Sequence, residues 1–186
     1  MCLKSIEFRT TPKGVVMVEK EGQDPFELSQ GSPFVEEALD YIQEFYTEAH
    51  EDLKEAYKQY RGTGAFYDFL RVRRFVKCNF GEHDNIHDLD TERGAHFEFV
   101  HCPLRGECKY ENRICNPKFN STLSPRVLEV MKHCYEGRTD SEIADLLCIS
   151  IFTVENHRKS AFRKLNIHSM AEFNRFAAST NLFKQL

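Results

Sequence analysis

The chain of 186 residues contains no tryptophan, only 6 prolines, and no apolar run long enough to span a bilayer. Its first dozen residues lack the hydrophobic segment of a secretory signal peptide. It also lacks a phosphate loop, a nucleophile–base pair and a catalytic carboxylate motif, so we do not expect an enzyme. These absences favour a cytoplasmic protein with no membrane partner.

Charge is distributed unevenly along the sequence. The net charge of −4 argues against a nucleic-acid ligand for the chain as a whole. Residues 119–186, however, hold nine basic and seven acidic side chains, a net charge of +2, and the rest of the chain carries −6. This asymmetry points to two regions with different partners.

Apolar spacing predicts a β-hairpin and then a long helix in the N-terminal region. Apolar residues alternate with polar ones over 6–18, on both sides of a Pro/Gly turn at 10–14. Ser32 is a suitable N-cap, followed by proline at the first helical position, and Gly62 is a suitable stop. Apolar residues between them recur at the spacing of one helical face, which predicts a single core-facing or dimerisation helix.

The remaining N-terminal segments give weaker signals. Residues 65–76 could form a short helix or a strand, and residues 96–100 alternate weakly like a strand. A polar segment at 116–122 is typical of a linker. We therefore predict an α+β domain over 1–118, followed by an all-α domain over 119–186.

A group of cysteines in the N-terminal domain predicts a metal site. Seven cysteines in a chain from a reducing compartment are more typical of thiols or metal ligands than of disulfides. Three of them are separated by five and six residues, with a fourth upstream, and four sulfurs suit a tetrahedral thiolate site. Structural zinc is the first interpretation, an iron–sulfur cluster the second and ordinary buried thiols the third. The predicted ligands are Cys78, Cys102, Cys108 and Cys115, and nearby histidines that could replace one of them are His83, His87, His96 and His101.

Helix start and stop signals become regular after the linker. Thr139 with Glu142, and Ser169 with Glu172, have the spacing of a capping box, in which each side chain bonds the other's free backbone N–H. Gly137 is a typical C-terminal stop.

The sequence predicts four short helices, two of them joined by a tight turn at Cys148, with N-caps at Ser124, Thr139, Ser150 and Ser169. Such a turn is typical of a helix-turn-helix, in which the later helix enters a major groove. We interpret Cys134 and Cys148 as core residues.

Residue identities across these helices resemble the LuxR/GerE-type helix-turn-helix, which also ends response regulators of the NarL/FixJ kind. The resemblance covers roughly a third of the chain. The segments that carry it are Leu123–Met131, Glu136–Gly137, Ser141–Ala144, Ile149–Ser150, Thr153–His157 and Arg163–Leu165. Two positions depart from the family pattern: Val127 stands where glutamate is usual, and Cys148 where glycine or another small or apolar residue is usual.

The resemblance implies a recognition helix that begins near Ser150 and reads bases through Glu155, Asn156 and Lys159. Asparagine can pair with adenine, lysine with guanine, and glutamate can accept from cytosine. Candidate contacts to the DNA backbone, which position a protein without specifying sequence, are Thr139, Ser141, Ser150, Thr153, Arg158, Arg163 and Lys164.

The family also implies a homodimer formed through the last helix, residues 169–181. Possible contact side chains are Phe173, Phe176 and Phe183. The N-terminal domain shows neither a phosphoacceptor receiver domain nor a recognisable acyl-homoserine-lactone sensor domain, and it could contact a protein partner. The sequence thus predicts a DNA-binding transcription regulator. The alternative is a protein–protein adaptor built on a helix-turn-helix scaffold.

Overall fold

The computed structural model describes residue 3 and residues 5–81, 87–89 and 95–183. The chain forms two compact units, Met1–Asn120 with Ser179–Leu186, and Ser121–Ala178. The break after Asn120 lies inside the predicted linker, and the last eight residues group with the first unit. Within the described residues, no helix is both long and apolar enough to cross a membrane.

The first unit begins with a small antiparallel sheet of order β1–β2–β3. Strands β1 (Ile6–Thr10) and β2 (Val16–Lys20) form the predicted hairpin, with Phe8 opposite Val18. Both of these side chains are buried, as period-2 alternation requires of a half-buried sheet. The two-residue strand β3 (Phe26–Glu27) was not predicted, because it is too short to show a periodicity.

Three helices follow the sheet, and the predicted single long helix is wrong. Helix α1 spans Pro33–Phe45 and α2 spans Thr47–Ala56, followed by a 3-10 turn over Lys58–Thr63. The break is at Tyr46, which leaves helical geometry with φ −137° and ψ 53°. Helix α3 (Ala65–Asn79) resolves the helix-or-strand alternative in favour of helix.

An aromatic core explains why the chain breaks at Tyr46. This side chain is fully buried, with its ring 5.9 Å from that of Phe75, 5.2 Å from that of Phe97 and 5.8 Å from that of Phe119. The non-helical backbone lets neighbouring Phe45 be buried as well, stacked 5.6 Å from Phe119.

The strand predicted over 96–100 is also wrong. Two of its amides bond elsewhere, His96 to the carbonyl of Asp88 at 2.8 Å and Glu98 to that of Asn79 at 2.9 Å. These bonds tie the segment to a loop and to the end of α3, so it belongs to no strand ladder.

The second unit consists of four helices. They are α4 (Pro125–Tyr135), α5 (Asp140–Leu147), α6 (Ile151–Leu165) and α7 (Met170–Ser179). Ser179, the last residue of α7, groups with the first unit. Their shared core comprises Val130, Cys134, Ile143, Ala144 and Val154, with Leu147, Ile149 and Met170 packed at its edge. A small sheet with helices, followed by an all-helical unit, confirms the α+β class.

Candidate nucleic-acid interface and cysteine cavity

Helices α5 and α6 are joined by a three-residue turn whose geometry is fixed by backbone bonds. Cys148 adopts the left-handed conformation, with φ 52° and ψ 47°. The amide of Ile149 bonds the carbonyl of Ala144 at 3.0 Å, and the amide of Cys148 bonds that of Asp145 at 3.4 Å. This pair of bonds is a Schellman motif, in which glycine is the usual left-handed residue. The turn therefore explains why glycine is among the residues usual in the family at position 148.

The predicted capping residues hold most of the helix starts in this unit. Thr139 and Glu142 form the full capping box at the start of α5. The bond from the Thr139 amide to its carboxylate holds the pKa of Glu142 below its usual value, and the bond from the Thr139 hydroxyl adds to this. At α6, the Ser150 hydroxyl accepts from the Thr153 amide at 3.0 Å. Ser124 makes no side-chain cap bond, in keeping with the valine at position 127.

At α7 the predicted box forms only in part. The Glu172 amide donates to the Ser169 hydroxyl at 3.2 Å, as predicted. The Glu172 carboxylate accepts from the amide of His168 at 2.8 Å, whereas a full box requires the amide of the N-cap itself.

The outward face of α6 forms a continuous exposed stripe. The exposed residues Phe152, Asn156, Lys159 and Arg163 follow one another at steps of four, three and four, which places them on one helical face. The opposite face carries the buried residues Val154, Ala161 and Leu165. Two of the predicted base-reading residues, Asn156 and Lys159, thus lie on the solvent face of a helix whose other side is anchored in the core.

The third predicted reader, Glu155, lies beside this stripe and is partly exposed. Its carboxylate is 3.5 Å from the Lys159 ammonium, four residues further along the helix. Such a pair on a helix surface is worth only about 0.3–0.5 kcal/mol, so either side chain can exchange its partner at little cost.

Arg158 has a partner inside the unit. Its guanidinium binds Asp140 through two nitrogens, one of them 2.8 Å from Oδ2, and both side chains are largely shielded from solvent. The hydrogen bonds to Asp140 raise the pKa of Arg158. Since Asp140 is the first residue of α5, this pair connects the start of α5 to the middle of α6.

The other predicted backbone-contact residues lie at the surface. Arg163 and Lys164 are exposed in the last turn of α6. Ser141 is exposed in the first turn of α5, while the hydroxyls of Thr139, Ser150 and Thr153 take part in the caps.

Sequence reasoning missed an apolar patch at the start of α6. Phe152 is 69% exposed and Ile151 49%, and Leu146 at the end of α5 is 51% exposed. A helical projection from Ser150 places Phe152 in line with Asn156 and Lys159, and that signal could have found it. Phe173 shows the opposite error: it was predicted to point outward, but it is fully buried in the core and cannot contact a second copy.

The four predicted metal-ligand cysteines all line one cavity of about 620 Å³ in the first unit. Each is a free thiol with partial exposure. Cys78 lies in the last turn of α3, and Cys102, Cys108 and Cys115 lie on a run of tight turns. Of the cysteines in the second unit, Cys134 is in the core as predicted, but Cys148 is exposed, because its left-handed turn faces solvent.

A buried asparagine holds this cysteine segment against α3. Asn79 is fully buried, and its amide nitrogen donates to the carbonyl of Ile114 at 2.9 Å. Its amide oxygen accepts from the backbone N–H of Asn116. Asn79, the residue after Cys78, therefore bonds the backbone of both residues that flank Cys115 in sequence.

Two donors bond the sulfurs directly. The Arg74 guanidinium donates to the Cys108 sulfur at 3.6 Å, and the backbone N–H of Asn112 donates to the Cys115 sulfur at 3.2 Å. Burial raises the pKa of the Cys78 thiol to about 11, and the charge of nearby Arg74 opposes that rise.

The histidines suggested as replacement ligands differ in whether they line the cavity. His101 lines the cavity, whereas His87 and His96 do not, and His83 lies outside the described residues.

One further group of ligand atoms was not predicted. Carboxylate oxygens of Glu7, Asp88 and Glu98 lie within 4.8 Å of one another in the first unit. Backbone amides already bond these carboxylates, for example that of Phe8 to Asp88 at 2.7 Å. No short sequence motif connects three residues so far apart along the chain.

Comparison with known proteins identifies the second unit. Residues 121–177 match the family model described as bacterial regulatory proteins, luxR family. The C-terminal region is similar to the regulatory protein SdiA of Escherichia coli K12, with 35% identity over 69 residues, which is 37% of this chain and 28% of that protein. It is also similar to the uncharacterized response regulatory protein YgeK of the same organism, with 38% identity over 53 residues, 28% of this chain and 36% of that protein.

This chain thus covers only about a third of the length of these curated relatives. No solved structure matches it. The matched region includes all of α4, α5 and α6 and most of α7. Residues 121–177 therefore form a helix-turn-helix domain of the LuxR family of bacterial regulatory proteins.

Proposed function

We propose that this protein is a sequence-specific DNA-binding transcription regulator that inserts α6 into the major groove. The observation that carries the proposal is the exposed stripe of α6, where Asn156 and Lys159 face solvent from a helix anchored through Val154 and Ala161. A major groove about 12 Å wide accepts one α-helix, so a helix with one free face can reach base edges.

Base reading on this stripe follows from donor and acceptor chemistry. Asn156 can bond adenine through two atoms, and Lys159 can donate to guanine. Glu155 can accept from the amino group of cytosine once Lys159 leaves their weak surface pair. We add Phe152 to the predicted readers, because an exposed ring at the start of the helix can contact a thymine methyl group.

Contacts to phosphate position the helix without reading sequence. Arg163 and Lys164 supply positive charge in the last turn of α6. The exposed start of α5, with Thr139 and Ser141, lies at the positive end of a helix dipole, which favours phosphate.

We further propose that the protein binds as a homodimer through α7. With Phe173 in the core, the dimer contact has to use other residues of this helix, and a two-fold dimer requires a two-fold-related DNA site. The first unit would then receive a signal or contact a protein partner. A bacterial regulator of this kind acts in the cytoplasm, where the DNA is.

Selection of full-length protein on random double-stranded DNA tests the proposal. We expect enrichment of a two-fold-related motif, with affinity that falls as salt concentration rises, because binding to phosphates releases counterions. Recovery of no motif, together with no salt-dependent binding, would contradict the proposal. That result would favour the protein–protein adaptor, which the net charge of −4 also allows.

A further inference from the structure

We propose that the cavity lined by Cys78, Cys102, Cys108 and Cys115 binds an iron–sulfur cluster. The proposal concerns the first unit and is independent of the DNA-binding function. Cys78, Cys102, Cys108 and Cys115 all line one cavity of about 620 Å³. A space of this size surrounded by four cysteines is suited to an inorganic cluster bound by thiolates.

The spacing of the sulfurs favours a cluster over a single zinc ion. A tetrahedral zinc with Zn–S bonds of about 2.3 Å brings all four sulfurs to about 3.8 Å from one another. Among the described residues, only the carboxylates of Glu7, Asp88 and Glu98 bring three ligand atoms within 4.8 Å of one another. No three of the four sulfurs are that close. In a [4Fe–4S] cluster each cysteine binds a different iron, and in a [2Fe–2S] cluster two cysteines bind each iron. In neither case do three sulfurs share one iron, so they stand further apart than around one zinc ion.

The segment around Cys115 is held against α2 and α3 by contacts that need no metal. Asn79, fully buried at the end of α3, bonds the backbone on both sides of Cys115. Arg113, two residues before Cys115, pairs with the shielded carboxylate of Asp52 on α2, 2.6 Å away. The part of the ligand segment around Cys115 is therefore anchored to α2 and α3, near Cys78.

The surroundings of the cavity suit a negatively charged group. Basic side chains outnumber acidic ones in its lining, with Arg73, Arg74, Lys77 and Arg105 against Glu111. Hydrogen bonds from Arg74 to Cys108 and from the Asn112 amide to Cys115 already point at the sulfurs. Such bonds stabilise thiolate ligands and help to set the reduction potential of a cluster.

Elemental and spectroscopic analysis of anaerobically purified full-length protein tests the proposal. We expect iron and acid-labile sulfide in equal amounts, about two or about four of each per chain, with the brown colour of a cluster. Protein purified without iron should gain the same content when it is incubated anaerobically with ferric iron, sulfide and a thiol reductant, which supplies any electrons that a mixed-valence cluster needs. Stoichiometric zinc without iron, or no metal after that incubation, would overturn the proposal.

Single variants identify the ligands. Cys108→Ala and Cys115→Ala should each lose most of the iron and the visible absorption. Cys148→Ser, which changes an exposed cysteine of the second unit, should keep both. Circular dichroism checks that each variant folds. A folded Cys108→Ala or Cys115→Ala protein with the full iron content would contradict the ligand set, and the metal content of the unmodified protein tests the site even if a variant unfolds.

Discussion

Single residues of α6 differ in what their side chains already bind. Lys159 and Arg163 face solvent, and Lys159 has only a weak surface pair with Glu155. Arg158 instead holds Asp140 in a two-nitrogen ion pair that is largely shielded from solvent. Basic residues of one helix can therefore have different tasks, and we now expect Arg158 to position α5 on α6 rather than to bind phosphate.

Arg158→Ala should lower the stability of the second unit by about 1 kcal/mol, since a partly exposed ion pair of good geometry is worth about that much. It should leave the salt dependence of DNA binding almost unchanged. The measurement is chemical denaturation alone and in a double-mutant cycle with Asp140→Ala, where we expect a coupling of about 0.5–1 kcal/mol.

Arg163→Ala is the matched control, because it removes an exposed guanidinium from the same helix. It should cost less than about 0.5 kcal/mol of stability and lower the slope of log affinity against log salt by about one. If Arg158→Ala lowers that slope by the same amount without loss of stability, Arg158 contacts phosphate, as its sequence position first suggested.

Phe152→Ala should separate binding from folding. Because the ring is 69% exposed, its removal should change the free energy of unfolding by less than about 0.5 kcal/mol. DNA binding should weaken by about 1 kcal/mol, the order expected when a partly buried apolar contact is lost. Binding titrations with the selected site check this, with Leu146→Ala on α5 as the exposed apolar control. Equal affinity of the Phe152 variant and the unmodified protein would remove Phe152 from the interface.

Among the elements, the turn between α5 and α6 sets the direction of the proposed recognition helix. A left-handed residue ends α5, and Ile149 then packs against the core before Ser150 starts α6. In a Schellman turn the left-handed site favours glycine, because a Cβ there crowds the backbone. The cysteine at this position keeps the geometry at a cost in stability.

Cys148→Gly should therefore stabilise the second unit by about 0.5–1 kcal/mol. Glycine removes the strain of the left-handed conformation from the folded state, and its greater freedom in the unfolded chain offsets part of that gain. Thermal or urea denaturation measures the change, and DNA affinity should stay within twofold. Cys148→Ala keeps a Cβ and is the control, expected to give no stabilisation. Lower stability of the glycine variant would show that the thiol contributes more to the turn than its exposure indicates.

Several elements could be predicted because their signals are local. Capping residues such as Thr139 and Ser150 bond amides three residues away, so the sequence near each helix start contains the whole signal. The break at Tyr46 depends instead on distant rings, those of Phe75, Phe97 and Phe119. Apolar spacing continues across the break, so periodicity alone predicts one helix there.

At the scale of the whole molecule, the two units differ in how far their roles can be predicted. The second has residue identities typical of a known family, and its α6 face follows from the helix period alone. In the first unit, the cysteine spacing predicts a metal site but leaves its occupant open, because sequence gives no distances between sulfurs. The two hydrogen bonds of the Asn79 side chain to Ile114 and Asn116 could not be predicted either, because each joins residues 35 or more positions apart along the chain.

The central claim is that the exposed stripe of α6 reads DNA sequence. The most direct test is equilibrium binding of the unmodified protein, Lys159→Ala, Asn156→Ala and Arg163→Ala to a panel of single-base variants of the selected site. We predict that Lys159→Ala and Asn156→Ala each lose discrimination at one base position, worth about 1–3 kcal/mol. Arg163→Ala should weaken binding to every site alike. Uniform weakening by all three substitutions, with the order of preferred sites unchanged, would contradict the claim.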